Sequence, residues 1–397
     1  MKKIVALVLA LSLIACFAAC AKPAETTPTV STEETTVIVA DGDTTGATGT
    51  VKIGFTGPLT GDAAIYGTAA KNGAELAVAE INALGGLQIE FKAEDDVADG
   101  ETAVNAYNTL VDWGMQVLAG PVTSGAAIAV SSECMNDRIF ALTPSASSTD
   151  VINGKDNVFQ VCFTDPNQGV GAADYIAANF TGAKVAVIYR NDDAYSQGIR
   201  DTFVTEAKNV NVEVVYEGTF TKDTQTDFNV QLTAAQSAGA DLIFLPIYYQ
   251  PASVILNQAN QMGYAPTFFG VDGMDGILTM EGFDAKLAEG VMLLTPFSAD
   301  APSAADFVAQ YTAAYGETPN QFAADGYDTI YTIYEALNAA GYTDGMSAAD
   351  VCEALVAVMP TLSVDGLTGE DMTWASTGEV SKAPMAVVIK DGVYVTP

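Results

Sequence analysis

From residue 51 onward, short apolar runs of strand character alternate with longer stretches in which small and apolar residues recur at spacings of three and four. Strand runs fall at 51–55, 87–93, 117–119 and 139–142. Between them, Ala69, Ala70, Gly73, Ala74, Ala77 and Ile81 mark one helix face and Ala103, Ala106, Tyr107 and Leu110 another, with a third helix read over 126–137. Spacings of three and four place residues on one side of a helix, and strand–helix alternation with short turns makes a parallel, doubly wound sheet. A second series repeats the order, with strands at 158–163, 184–189, 212–220, 242–245, 267–269 and 291–294 and helices at 166–180, 199–208, 228–238 and 251–262. The chain then turns mostly helical (304–315, 323–340 and 348–359). It ends in short strands at 372–374 and 385–390, with a turn at Asp391-Gly392.

Two loops in the first series carry chemistry. Gly120-Pro-Val-Thr-Ser-Gly125 joins a strand to a helix, and Thr143-Pro-Ser-Ala-Ser-Ser148 follows the next strand. Free N–H groups at a helix N-terminus, with hydroxyls beside them, suit a small anion such as a carboxylate. Neither loop contains a basic residue, so dipoles and hydroxyls would hold that anion.

Composition narrows the function. The 397 residues suffice for two domains, and 49% apolar content with 9% aromatics is that of a folded chain. With 16 Lys and Arg against 49 Asp and Glu, the formal charge is −33, which argues against a nucleic-acid partner. Histidine is absent, removing the usual general base and the commonest metal ligand. There is no Gly-x-Ser-x-Gly elbow and no cysteine spacing of a zinc site, so neither an enzyme, a metal nor a cofactor is expected. Cys134, Cys162 and Cys352 form an odd set in the body of the chain; a Cys134–Cys162 disulfide is one pairing open to them.

Met1-Lys2-Lys3 and the apolar run to Ala19 form a secretory signal, shorter than a membrane span. The run ends in Phe17-Ala-Ala-Cys20, and Leu13-Ile-Ala-Cys16 has the same shape. Small residues before cysteine resemble the lipobox of bacterial lipoproteins. Cys20 is favoured as the lipidated residue because the polar tail starts just after it, with Cys16 left open. Residues 21–49 are rich in Thr, Glu, Pro, Gly and Ser and read as a disordered tether.

Several motifs recur together from residue 50 to the end: Val51-Lys-Ile-Gly-Phe-Thr-Gly-Pro-Leu-Thr-Gly61, Gly73-Ala-Glu-Leu-Ala-Val-Ala-Glu-Ile-Asn82, Gly120-Pro-Val-Thr-Ser124, Thr143-Pro-Ser-Ala-Ser147, Asp193-Ala-Tyr-Ser-Gln-Gly198 and Ile247-Tyr-Tyr249. In these the chain resembles the branched-chain-amino-acid-type (Leu/Ile/Val-binding) substrate-binding proteins of bacterial ABC importers. The resemblance implies a type I periplasmic-binding-protein fold: two α/β lobes joined by three crossing segments, with the ligand in the cleft between them. Placed by motif, lobe I is 50–164 plus 296–370, and lobe II is 165–295 plus 371–397. It further implies an extracytoplasmic monomer tethered by its lipid, binding an amino acid by hinge closure and docking on ABC permease subunits.

The same resemblance assigns the site. Thr123 and Ser124 would donate to the ligand's α-carboxylate. In the second loop Ser145, Ala146 and Ser147 would help, Ser145 through its backbone and Ser147 through its hydroxyl, where relatives often carry Thr. Asp272 would receive the α-ammonium group, at a position where better-known members have Glu. Tyr195, Tyr248 and Tyr66 would lay rings over the ligand, with Tyr249 facing the other way and Asp165 making a hydrogen bond between lobes. Each residue also has an ordinary reading: helix capping for Thr123 and Ser124, a turn for Asp272, packing for the tyrosines. Other solutes (a short amide, urea or an aromatic acid) and a ligand-sensing receptor component are the alternatives.

Overall fold

The computed structural model describes residues 46–397. The signal, the cysteines Cys16 and Cys20 and most of the tether lie outside the described residues.

Strands β1 (Thr50–Gly57), β2 (Gln88–Asp95), β3 (Val117–Ala119), β4 (Phe140–Thr143) and β5 (Val158–Gln160) form one sheet in the order β2-β1-β3-β4-β5, every pair parallel. Helices α1 (Ala64–Leu84), α2 (Gly100–Trp113) and α3 (Ser124–Asp137) make its crossovers. Each helix starts at the carboxyl end of a strand, so the first turns of α1 and α3 lie together at one edge of the sheet.

A second sheet takes β6 (Lys184–Arg190), β7 (Glu213–Phe220), β8 (Leu242–Leu245), β9 (Thr267–Gly270), β10 (Met292–Thr295), β11 (Met385–Lys390) and β12 (Val393–Val395) in the order β12-β11-β10-β9-β8-β6-β7. Its β6 to β10 are parallel and its last two strands antiparallel. The β11–β12 hairpin turns at Asp391-Gly392, where both residues have positive φ (53° and 77°). Around it lie α4 (Asp165–Asn179), α5 (Ala194–Asn209), α6 (Asn229–Ser237) and α7 (Tyr249–Met262). Leu242-Ile-Phe-Leu245 is buried along its whole length, as a parallel strand covered on both faces must be.

After β10 the chain returns to the first sheet. Helices α8 (Ala305–Tyr315), α9 (Gln321–Ala340) and α10 (Ala348–Val358) follow, α9 packing along α1 and α10 over β4. The α1–α9 contact depends on two glycines. A Cβ at Gly73 would come within 1.8 Å of the Ala323 carbonyl oxygen, and one at Gly326 within 2.1 Å of that of Ala70. The backbones therefore touch where any side chain would hold them apart.

Two sequence expectations change. Residues 372–374 form isolated bridges (Val364 with Met372, Trp374 with Val380) rather than a strand, because the segment pairs only with its own neighbourhood. The strand expected over 158–163 stops at Gln160, where the chain begins its passage to the second sheet. Cys134, Cys162 and Cys352 are buried free thiols, so the Cys134–Cys162 pairing is not formed. Among the described residues no helix is long and apolar enough to cross a membrane.

Candidate functional site

The carboxyl ends of both sheets face one cleft. Thr123 is the N-cap of α3 in extended geometry, yet its side chain makes no capping bond, and its buried Oγ1 has no partner. The first amides of α3 are thus left without a side-chain acceptor. Ser124 Oγ accepts from the Ser148 amide at 3.2 Å, leaving its own proton free to donate. Ser145 reaches the same space from the loop after β4, its hydroxyl donating to the Val122 carbonyl at 3.2 Å.

Across the cleft, Asp272 opens a 3₁₀ turn (Asp272–Met274) immediately after β9 and is 3% exposed. The Tyr195 hydroxyl, on α5, donates to its Oδ1 at 2.5 Å and accepts from the Gly273 amide at 2.9 Å. Burial pushes the Asp272 carboxyl up to about 6, against the opposing effect of hydrogen bonds from Tyr195 and Gln168. Tyr248 caps α7, and its ring lies 5.1 Å from that of Tyr195.

Tyr66, on the first turn of α1, crosses between the two walls. Its hydroxyl donates to the Gly273 carbonyl and accepts from the Tyr249 amide at 3.1 Å. The ring meets Tyr248 and Tyr249 edge-on at 5.3 and 5.1 Å and Phe322 of α9 at 4.4 Å.

Tyr66, Thr123, Ser124, Ser145, Tyr195, Tyr248 and Asp272 line one cavity, together with Val122, Gly273 and Phe322. Seven of the nine sequence-assigned residues therefore converge. Ala146 and Ser147 do not line it. Ala146 turns inward, its carbonyl accepting from Gln160 Nε2 at 2.8 Å. Ser147 donates to Asp165 Oδ1 at 2.7 Å, and its carbonyl accepts the Asp165 amide, so its hydroxyl is engaged at the start of α4. Tyr249 packs behind Tyr66, outside the cavity.

Four contributors escaped the sequence reading. Phe322 follows the α9 cap with no motif around it. Val122 lies within the Gly120-Pro-Val-Thr-Ser124 motif, whose hydroxyl residues carry the donor chemistry. Gln168 and Gln321 clamp the Asp272 backbone: Gln168 Oε1 accepts its amide at 3.2 Å, and Gln321 Nε2 donates to its carbonyl at 3.3 Å. Nothing local in sequence marks glutamines that serve a residue 104 or 49 positions away.

The space left among these side chains is small, about 10 Å³ for the centre of a water-sized sphere, roughly one water. No basic residue lines it. A larger chamber of about 620 Å³ adjoins it and shares Thr123 and Tyr248 as walls. At that mouth Asp62 accepts from Gln225 at 3.2 Å and Gln250 at 3.4 Å, linking the two sides. The arrangement offers donors on one wall and a carboxyl on the other, and among the described residues no three His, Cys, Asp or Glu side chains could hold a metal ion together.

This geometry agrees with a family comparison: a profile described as periplasmic binding protein matches residues 50–392. The chain belongs to the periplasmic binding protein family. Its members are solute-binding proteins, not enzymes. Among curated relatives, an "Amino acid binding protein" of Pseudomonas aeruginosa is 31% identical, the match covering 78% of this chain and 84% of that one. "Leu/Ile/Val-binding protein homolog 3" of Brucella melitensis is 29% identical over 83% and 89% respectively. Among solved structures, the branched-chain amino acid transporter substrate-binding protein LivJ of Streptococcus pneumoniae, in complex with isoleucine, superposes with a TM-score of 0.78 at 29% identity, covering 88% of this binding protein and 100% of LivJ.

Proposed function

We propose that this binding protein captures an aliphatic, branched-chain-type α-amino acid and presents it to the membrane subunits of an ABC importer. One observation carries the reading. The uncapped start of α3, with Ser124 and Ser145, faces a buried carboxyl at Asp272. Donors suit an α-carboxylate, Asp272 suits an α-ammonium, and a zwitterion satisfies both. The naming of relatives as Leu/Ile/Val-binding and amino acid binding proteins supports the choice of solute class.

The mechanism is hinge closure of lobe I (50–164 and 296–370) on lobe II (165–295 and 371–397). A branched side chain exceeds the roughly 10 Å³ now free, so the lobes part, admit the solute and re-close around it. Ligand then favours the closed form by its differential affinity for the two states. The protein works as an extracytoplasmic monomer anchored through a lipid on Cys20. Replacing Cys16 and Cys20 by Ser releases it from membranes on this account; membrane retention of the double variant would refute the anchor.

An aromatic acid is the second reading, since a benzoate-bound solute-binding protein of R. palustris shares the fold (TM-score 0.77, 22% identity). Such a ligand would leave Asp272 without a cation, which disfavours it. A thermal-shift screen of the twenty amino acids, short amides, urea and benzoates separates the readings. Stabilisation by aliphatic L-amino acids is expected, and a response confined to amides or benzoates would overturn it.

A further inference from the structure

Resting on the amino-acid reading above, we propose that Tyr195 is a positioning residue of the ammonium site, and that Asp272, held by it, exchanges a carboxyl proton for the ligand's ammonium group, so that capture of an amino acid releases a proton to solvent.

Unpaired charge drives the exchange. Asp272 is 3% exposed and lines a cavity with no basic side chain in its walls. A carboxylate withdrawn from water without a cation is strongly disfavoured, and protonation is the cheaper state. The groups facing it from each surrounding element are neutral or acidic. Tyr195 on α5, Tyr66 on α1 and Tyr248 ahead of α7 are phenols whose hydroxyls burial holds neutral. From α4 come Asp165, itself buried with one oxygen unpartnered, and the uncharged Gln168. Asp275 shares the turn, Gln321 and Asp325 approach from α9, and Cys162 lies on the passage after β5. The buried ammonium in this neighbourhood, Lys382, is already 3.5 Å from Asp325.

Tyr195 supplies the one strong donor to Asp272, at 2.5 Å, and takes the Gly273 amide in return, which fixes the carboxyl toward the cavity. The exchange balances: a neutral carboxyl and a ligand ammonium become a carboxylate–ammonium pair, and one proton leaves. Direction follows. Below the pH at which the empty carboxyl titrates, each further unit weakens capture about tenfold; above it, affinity levels off. The raised position of Asp272, near 6, puts that bend within reach of experiment.

The test is calorimetric titration of the full-length protein with L-isoleucine and L-alanine from about pH 5 to about pH 8, in buffers of different ionisation heat, which counts protons exchanged. The amino acid keeps both its charges over that range. The wild type should release close to one proton per ligand at the acid end and almost none at the alkaline end. Tyr195→Phe should move this profile to higher pH, because the carboxyl loses its donor; a purely packing role would change affinity or stability and leave the profile in place. Asp272→Asn should exchange no proton at any pH. Binding by the wild type without proton exchange across the range would overturn the proposal while leaving the amino-acid reading intact. Binding of neither amino acid at any pH would overturn that reading, and this proposal with it.

Discussion

Lys382 and Asp325 form an ion pair at 3.5 Å with side chains 1% and 2% exposed, on the segment that leads back into the second sheet and on α9 of the first. The Lys382 ammonium also donates to Thr368 Oγ1, whose hydroxyl and amide hold Asp328. Burial pushes Asp325 up to about 7 despite the neighbouring ammonium. A pair this deep fixes geometry rather than adding much net stability, but removing one partner strands the other.

Lys382→Met is therefore expected to destabilise by about 3–5 kcal/mol near neutral pH. Asp325 can recover part of this by taking a proton, so the loss should shrink on acidification. Denaturant titration of the variant at two pH values checks both points. Adding Asp325→Asn should restore much of the stability, and equal losses for the single and double variants would refute the pairing.

The empty protein should grow more stable as pH falls from about 7 to about 4. Asp96, Asp272 and Asp325 are raised by burial to about 7, 6 and 7. Each binds a proton on folding while its unfolded form stays ionised, so each adds a slope of about 1.4 kcal/mol per pH unit within that window. Asp96→Asn should remove one such increment. A melting temperature that rises steadily from pH 4 to pH 7 would contradict the sign.

Tyr66→Phe keeps the ring against Phe322 and Tyr248 but loses the hydroxyl that joins the Gly273 carbonyl to the Tyr249 amide. Those bonds tie α1 to the second-sheet side, so they exist only with the cleft shut. About 1–3 kcal/mol of closed-state stability should go, read in stopped-flow as faster ligand release with little change in the association rate. A slower association rate alone would place the hydroxyl in entry rather than closure.

Strand and helix periods carried most of this fold, because parallel strands must be apolar throughout and their helices amphipathic. Residues 372–374 differ because a short segment alternating buried Met372 and Trp374 with exposed Thr373 pairs as readily in a local bridge as in a sheet. Seven residues that line the cavity are legible through motifs at or just after strand ends, where backbone geometry itself sets the residue type. Ser147 is the converse case: a hydroxyl in a donor loop does not reveal that Asp165, eighteen residues on, will claim it. Phe322, Gln168 and Gln321 reach the site only through tertiary packing, which no local pattern records.

The central claim is that Asp272 recognises an ammonium group. Calorimetric titration of the wild type and of Asp272→Asn with L-isoleucine at about pH 7.5 tests it most directly. The account predicts that the substitution weakens binding by about 2–5 kcal/mol while raising the melting temperature of the empty protein, since it deletes a buried carboxyl with no cation beside it. Equal affinity in the two proteins would contradict it.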